Sequence, residues 1–251
     1  MSSVWTLTRI GYTLWGTTCG LGALTMVLLR QRPSNGIFVI YLQYLATHAI
    51  FSALKVIQGG VETSSVNAIL NYFNNILLLF AASTYFRLAS VIYFRMMPPI
   101  HRYLTIAAWG SFAVFAIVLT ITTYAAKLVE QESIVVFVYY CPCALFALVG
   151  LYKVYCSVLR GELLPENDHL MSSRPWVSCV GRPIGYVLLG VIGGTMGMID
   201  YFIVVLPAVG VAIWEAEFLS RLLDCVFYIP LVIPCLLWLD CPENFPMKDT
   251  R

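Results

Sequence analysis

The chain has 251 residues, of which 60% are hydrophobic, 14% aromatic and only 11% charged, and its mean hydropathy is +0.82. A soluble globular domain carries about 25% charged residues, and repeated apolar runs of about 20 residues need a bilayer, so soluble enzymes, nucleic-acid binders and secreted disulfide scaffolds are excluded. The formal net charge of +2 names no acidic partner, and only the placement of the charges is informative.

Long apolar runs predict an all-α, polytopic membrane protein, a bundle of seven transmembrane helices forming one domain over residues 1–251. In chain order the spans are Leu7 to Leu29, Ile37 to Ile57, Asn71 to Phe94, Tyr103 to Ala126, Ile134 to Cys156, Ile184 to Leu206 and Leu222 to Leu239. Between them, Arg30 to Gly36, Gln58 to Gly60 and Arg95 to Pro99 place polar or charged groups beside the proline and glycine that stop helices. Links this short make successive helices antiparallel neighbours. The one sizeable loop, Ser157 to Pro183, mixes charges of both signs with three prolines and reads as a cytosolic linker between the fifth and sixth helices.

The lysines and arginines choose the orientation. Arg30, Arg32, Arg95, Arg102, Lys153, Arg160, Arg174, Arg182, Lys248 and Arg251 fall on one side, Arg9, Lys55, Lys127 and Arg221 on the other, and Arg87 lies within a helix. The positive-inside rule then puts the C-terminus in the cytosol and the N-terminus outside or in an organelle lumen. Cleavage after the first helix would leave Arg30 and Arg32 on the wrong side, so that helix is expected to remain a span.

The eight cysteines imply no disulfide set, because five lie within spans and Cys156, Cys179 and Cys241 lie at cytosolic ends, where thiols stay reduced. Cys141-Pro-Cys143 lacks the second ligand pair of a zinc site, so no metal is expected. Only His48 lies inside a span, which rules out paired axial ligands for a haem, and the last helix has no lysine to anchor retinal. No cofactor is expected.

What remains is a set of costly polar residues. A charge at the bilayer centre costs about 2.5 to 3.5 kcal/mol on insertion scales, so an acid retained there marks a candidate site. Asp200 in the sixth helix and Asp224 in the seventh are the two to explain, and the orientation above puts both in the outer half. Asn71, Asn74 and Asn75 start the third helix on that side and His48 sits near the middle of the second, so four helices are expected to direct polar side chains to one region. Each has a structural alternative. The asparagines crosslink helices in that alternative, and Asp224 simply pairs with Arg221 at i,i+3. Asp200 has no basic residue one turn away and shares a face with Gly193 and Gly197, where close helix approach would desolvate the carboxyl and favour the neutral acid.

Aromatic residues are dense at these depths, among them Tyr72, Tyr201 and Tyr228. An aromatic-walled cavity stabilises cationic centres by about 0.5 to 2 kcal/mol per contact, and a carboxylic acid at its end can protonate an olefin or epoxide. No D-D-x-x-D is present, so magnesium-assisted loss of diphosphate is not indicated.

In its length, its short basic link Arg30 to Gly36 and its final-helix string Leu223-Asp-Cys-Val-Phe-Tyr228 followed by Trp238, the chain resembles the short seven-helix membrane-bound terpene cyclases of fungal meroterpenoid and indole-diterpene pathways. The resemblance implies that Asp224 takes the place of that family's last-helix acid, which works with a second-helix glutamate to protonate a prenyl chain or its epoxide. The span Ile37 to Ile57 has no glutamate, and His48 stands near the expected place. The expected catalytic residues are therefore Asp200 and Asp224. The expected substrate-binding residues are His48, Asn71, Tyr72, Asn74, Asn75, Tyr201 and Tyr228, around a hydrophobic prenylated small molecule in the endoplasmic reticulum or another internal membrane. A seven-helix lipid exporter or translocator shares the topology and is the alternative, with Ala81-Ala-Ser-Thr-Tyr85 through Arg87 similar to the third helix of such families. A seven-helix receptor is less favoured, since Arg95-Met-Met-Pro98 carries no D-R-Y-like triplet.

Overall fold

The computed structural model describes residues 3–29, 36–60, 64–96, 101–125, 132–160, 183–205 and 216–241, without the side chains of 3–5, 64, 93–96, 101–102, 125, 132–133, 183–184, 201–205 and 216–217. The helices are α1 (Ser3–Leu29), α2 (Ile37–Gln58), α3 (Ser64–Met96), α4 (His101–Thr120), α5 (Glu132–Leu159), α6 (Pro183–Val205), α7 (Ala216–Leu223) and α8 (Ile229–Asp240). A π-helical turn, Ile121–Ala125, extends α4, and a second, Asp224–Tyr228, joins α7 to α8 without a break. Among the described residues the chain thus forms seven helical columns. Most of the cytosolic loop expected between the fifth and sixth helices, and half of the cations that set the expected orientation, lie outside the described residues.

Six columns are long and apolar enough to cross a membrane: Thr6–Leu29, Ile37–Gln58, Ser65–Ile92, Tyr103–Tyr124, Ile134–Leu159 and Phe218–Asp240. The apolar run described within α6, Gly185–Asp200, is shorter. The protein is a multi-pass integral membrane protein, and large apolar side chains such as Leu21, Leu28, Ile106 and Ile117 face outward, as a hydrocarbon solvent favours.

Two boundaries differ most from those expected. The third helix begins at Ser64 and not Asn71, because its first two turns are rich in serine and asparagine, which an apolar-run criterion passes over. The seventh column begins at Ala216 and not Leu222, so Arg221 is a buried helical residue and not an outer-loop charge.

The columns α1, α2, α3, α5, α6 and α7/α8 close into a ring, with α4 packed outside α3. Two devices fix the closure. The first is the start of α2, where Gly36 has φ of 82°, a left-handed backbone that glycine adopts without steric cost. There the Phe38 amide donates to Asp240 Oδ1 at 3.0 Å, so the last residue of α8 satisfies one of the open N–H groups of α2. The second is the glycine face of α6. A Cβ at Gly193 would lie 2.8 Å from Val232, and one at Gly197 would lie 2.7 Å from the Tyr228 ring, so this approach of α6 to the last column requires glycine.

Candidate functional site

Proline and glycine together assemble the polar centre. Pro230 has no N–H to return to the carbonyl of Val226, and just before it the helix widens into the π turn, where the Ile229 amide reaches back to the Asp224 carbonyl. Asp224 and Tyr228 are both carried on that turn and both buried. Asp200 follows Gly197 by three residues on α6, so the tight glycine contact brings its carboxyl to the same place.

Arg221 Nη1 donates to Asp224 Oδ2 at 3.4 Å, and the two side chains are 10% and 6% exposed. Asp200 is 5% exposed and faces Arg221, Ser220 and Asp224. Two buried carboxyls from different helices thus lie near one buried guanidinium, which bonds Asp224. Asp200 Oδ1 and the Ser220 hydroxyl are buried without a hydrogen-bond partner among the described residues.

An aromatic wall continues from the guanidinium. The Arg221 guanidinium carbon lies 4.0 Å from the Trp15 ring centre and 5.3 Å from that of Tyr12. Trp15 meets His48 edge-on at 4.8 Å, and His48 lies 4.0 Å from the Tyr44 ring. His48 Nδ1 donates to the Tyr44 carbonyl at 2.9 Å. The Tyr85 hydroxyl in turn donates to that of Tyr44 at 2.8 Å and accepts from that of Tyr228 at 2.6 Å. Contacts thus run from Arg221 through α1, α2 and α3 and return to the π turn that holds Asp224.

Two spaces adjoin this centre. A cavity of about 30 Å³ between α3, α5, α6 and α8 is lined by Tyr85, Tyr140, Gly197, Met198 and Tyr228, which is room for a water molecule. A much larger open groove of about 750 Å³ runs between α1 and α2 on the outer surface of the bundle. It is floored by Gly16, Gly20, Ala49 and Ser52, and Tyr12, one of the two rings under Arg221, stands at its edge.

Of the residues expected at the site, Asp200, Asp224, His48 and Tyr228 converge. Asn74 instead donates to Gln58 Oε1 at 3.1 Å, tying the start of α3 to the end of α2. Tyr72 turns to α4, its hydroxyl 2.9 Å from Thr120 Oγ1. Asn75 is buried and Asn71 half-buried on α3, and the side chain of Tyr201 lies outside the described residues. Sequence reasoning missed Trp15, Tyr85 and the burial of Arg221. The i,i+3 spacing of Arg221 and Asp224 carried a signal for the last of these, whereas nothing in the sequence sets Trp15 apart from other aromatics and Tyr85 entered only through the Ala81 to Tyr85 string. Comparisons with protein-family models, curated proteins and solved structures gave no match, so function has to be argued from these residues alone.

Proposed function

We propose that the chain is an integral membrane terpene cyclase, in which the Asp200 and Asp224 pair starts the cyclisation of a prenyl chain or its epoxide by protonation. The observation that carries this is the pair of buried acids beside Arg221, with Asp200 Oδ1 and the Ser220 hydroxyl lacking geometric hydrogen-bond partners among the described residues. The carboxyl holding the proton gives it to the terminal olefin carbon or the epoxide oxygen. The carboxylate left behind is stabilised by the Arg221 guanidinium. Ring closure moves the cation along the chain, where tyrosine and tryptophan faces stabilise it. Loss of a proton from the last carbon to the carboxylate restores the acid, so the reaction is an isomerisation without a cofactor. The small inner cavity has to widen when the substrate binds. Charge asymmetry supports a lumenal N-terminus and a cytosolic C-terminus, and a lipid-soluble substrate of a secondary-metabolite pathway fits an internal membrane such as the endoplasmic reticulum.

One observation favours lipid export or translocation as the second reading: the open groove between α1 and α2 is far larger than the cavity at the tyrosines. The two separate when microsomes bearing the wild-type protein are supplied with a prenylated aromatic substrate and its terminal epoxide. A cyclised product supports the cyclase. Redistribution of unchanged substrate across the vesicle membrane supports the translocator.

A further inference from the structure

Arg87 belongs to no part of the centre described above. It lies on α3 within the membrane-spanning segment Ser65–Ile92, and its partners are a neutral amide and a ring. Its Nη1 donates to Gln43 Oε1 of α2 at 2.7 Å, and its guanidinium carbon lies 5.0 Å from the Trp109 ring centre of α4. No carboxylate pairs with it among the described residues. A guanidinium has five N–H donors. Those of Arg87 not given to Gln43 have no protein partner among the described residues and are not sealed inside the bundle.

Its contacts, and not its depth, set it apart from plain snorkelling. The membrane-spanning segment Ser65–Ile92 is centred between residues 78 and 79, so at about 1.5 Å per residue Arg87 stands about 13 Å towards the Ile92 end, just inside a hydrocarbon half-thickness of about 15 Å. A snorkelling arginine extends along its helix to the nearest headgroups, but this one is turned sideways and held between α2 and α4. Both helices pack on α3 among the described residues, so Arg87 stands in the furrow between them. Trp109 is 42% exposed and Ile106, on the same helix, is 70% exposed, so the furrow opens to the acyl chains.

We propose that Arg87, Gln43 and Trp109 form a binding site for the phosphate of an anionic lipid, whose acyl chains lie along the exposed face of α4. A guanidinium fixed by Gln43 and Trp109 is matched by a singly charged phosphate group. The apolar flank argues for a lipid as its source and not for free phosphate. The juxtaposition is independent of the acid pair, and neither the cyclase nor the translocator reading is needed for it.

The test is native mass spectrometry and thermal unfolding of the full chain reconstituted in three vesicle preparations: phosphatidylcholine, phosphatidylcholine with phosphatidylglycerol, and phosphatidylcholine with inorganic phosphate in the buffer. Wild-type protein should retain phosphatidylglycerol in preference to phosphatidylcholine and unfold at higher temperature in its presence, and inorganic phosphate should give neither effect. Arg87→Gln should weaken phosphatidylglycerol retention at least about fivefold, the value of one cation near an anionic surface, with unfolding in pure phosphatidylcholine little changed. Arg87→Lys keeps the charge and should retain part of the preference even if the glutamine variant does not fold. Absence of any lipid preference in the wild type overturns the proposal, as does equal phosphatidylglycerol retention by wild type and Arg87→Gln. A response to inorganic phosphate equal to that with the lipid overturns the assignment to a lipid.

Discussion

Arg221 donates to Asp224 at 3.4 Å while its guanidinium carbon lies 4.0 Å from the Trp15 ring centre, and Asp200 of α6 is buried nearby. The arginine has thereby changed role. As an exposed i,i+3 partner it would contribute only about 0 to 1 kcal/mol. Buried between the Asp224 carboxyl and an indole, it is the countercharge nearest to that acid among the described residues.

Arg221→Gln should therefore be the most damaging of the three charge deletions. It leaves two buried carboxyls without a countercharge, and breaking a buried pair in this way costs about 3 to 5 kcal/mol. Asp200→Asn and Asp224→Asn each leave one carboxyl facing the guanidinium, so both should unfold closer to the wild type in detergent. Adding Asp224→Asn to Arg221→Gln should recover part of the loss. Equal unfolding temperatures for all three single variants would mean that the cluster is solvated.

The glycine face of α6 gives a graded prediction. A Cβ at Gly197 meets the Tyr228 ring, whereas one at Gly20 or Gly110 meets nothing within 4 Å. Gly197→Ala should cost about 1 to 3 kcal/mol through overpacking, and Gly110→Ala should be neutral or slightly stabilising. Thermal unfolding of the two variants side by side checks the order.

At the opposite end of the last column, Asp240 satisfies the Phe38 amide. Asp240→Ala should lower stability by about 0.5 to 2 kcal/mol, as loss of an N-terminal cap does. Gly36→Ala forces a side chain into the left-handed region at φ of 82° and should cost about 1 to 2 kcal/mol. Proteolysis of the link before α2 should rise in both variants.

The charge asymmetry of the sequence predicts that a reporter inserted at Gly60 is lumenal or external and one fused after Arg251 is cytosolic. Protease protection in sealed microsomes reads both positions. The reverse arrangement would contradict the orientation proposed above.

The columns were legible in the sequence because bilayer thickness imposes runs of about 20 apolar residues, and the glycine face of α6 was legible because its spacing repeats every four residues from Gly193 to Gly197. The convergence of Asp200 with Asp224 depended on that face, and its partner Arg221 was misjudged because the chain before Leu222 looked like a loop. Tyr85 was beyond reach for a different reason. Its hydroxyl matters only through Tyr44 and Tyr228, and which tyrosines meet depends on helix rotation and depth, neither of which a single sequence encodes locally. Tyr72 illustrates the converse, since proximity in sequence to Asn71 and Asn74 did not carry its side chain to their side of α3.

The most direct test of the central claim is turnover by Asp200→Asn and Asp224→Asn in microsomes supplied with a prenylated substrate and its epoxide, with product measured against inserted protein. Asparagine keeps the shape and hydrogen-bonding capacity of each side chain but delivers no proton. The account predicts wild-type turnover, near-normal accumulation of both variants, and a fall of about 10²- to 10⁴-fold in product for at least one of them. Full turnover by both variants would contradict proton donation by the pair and leave the two aspartates as packing residues around Arg221.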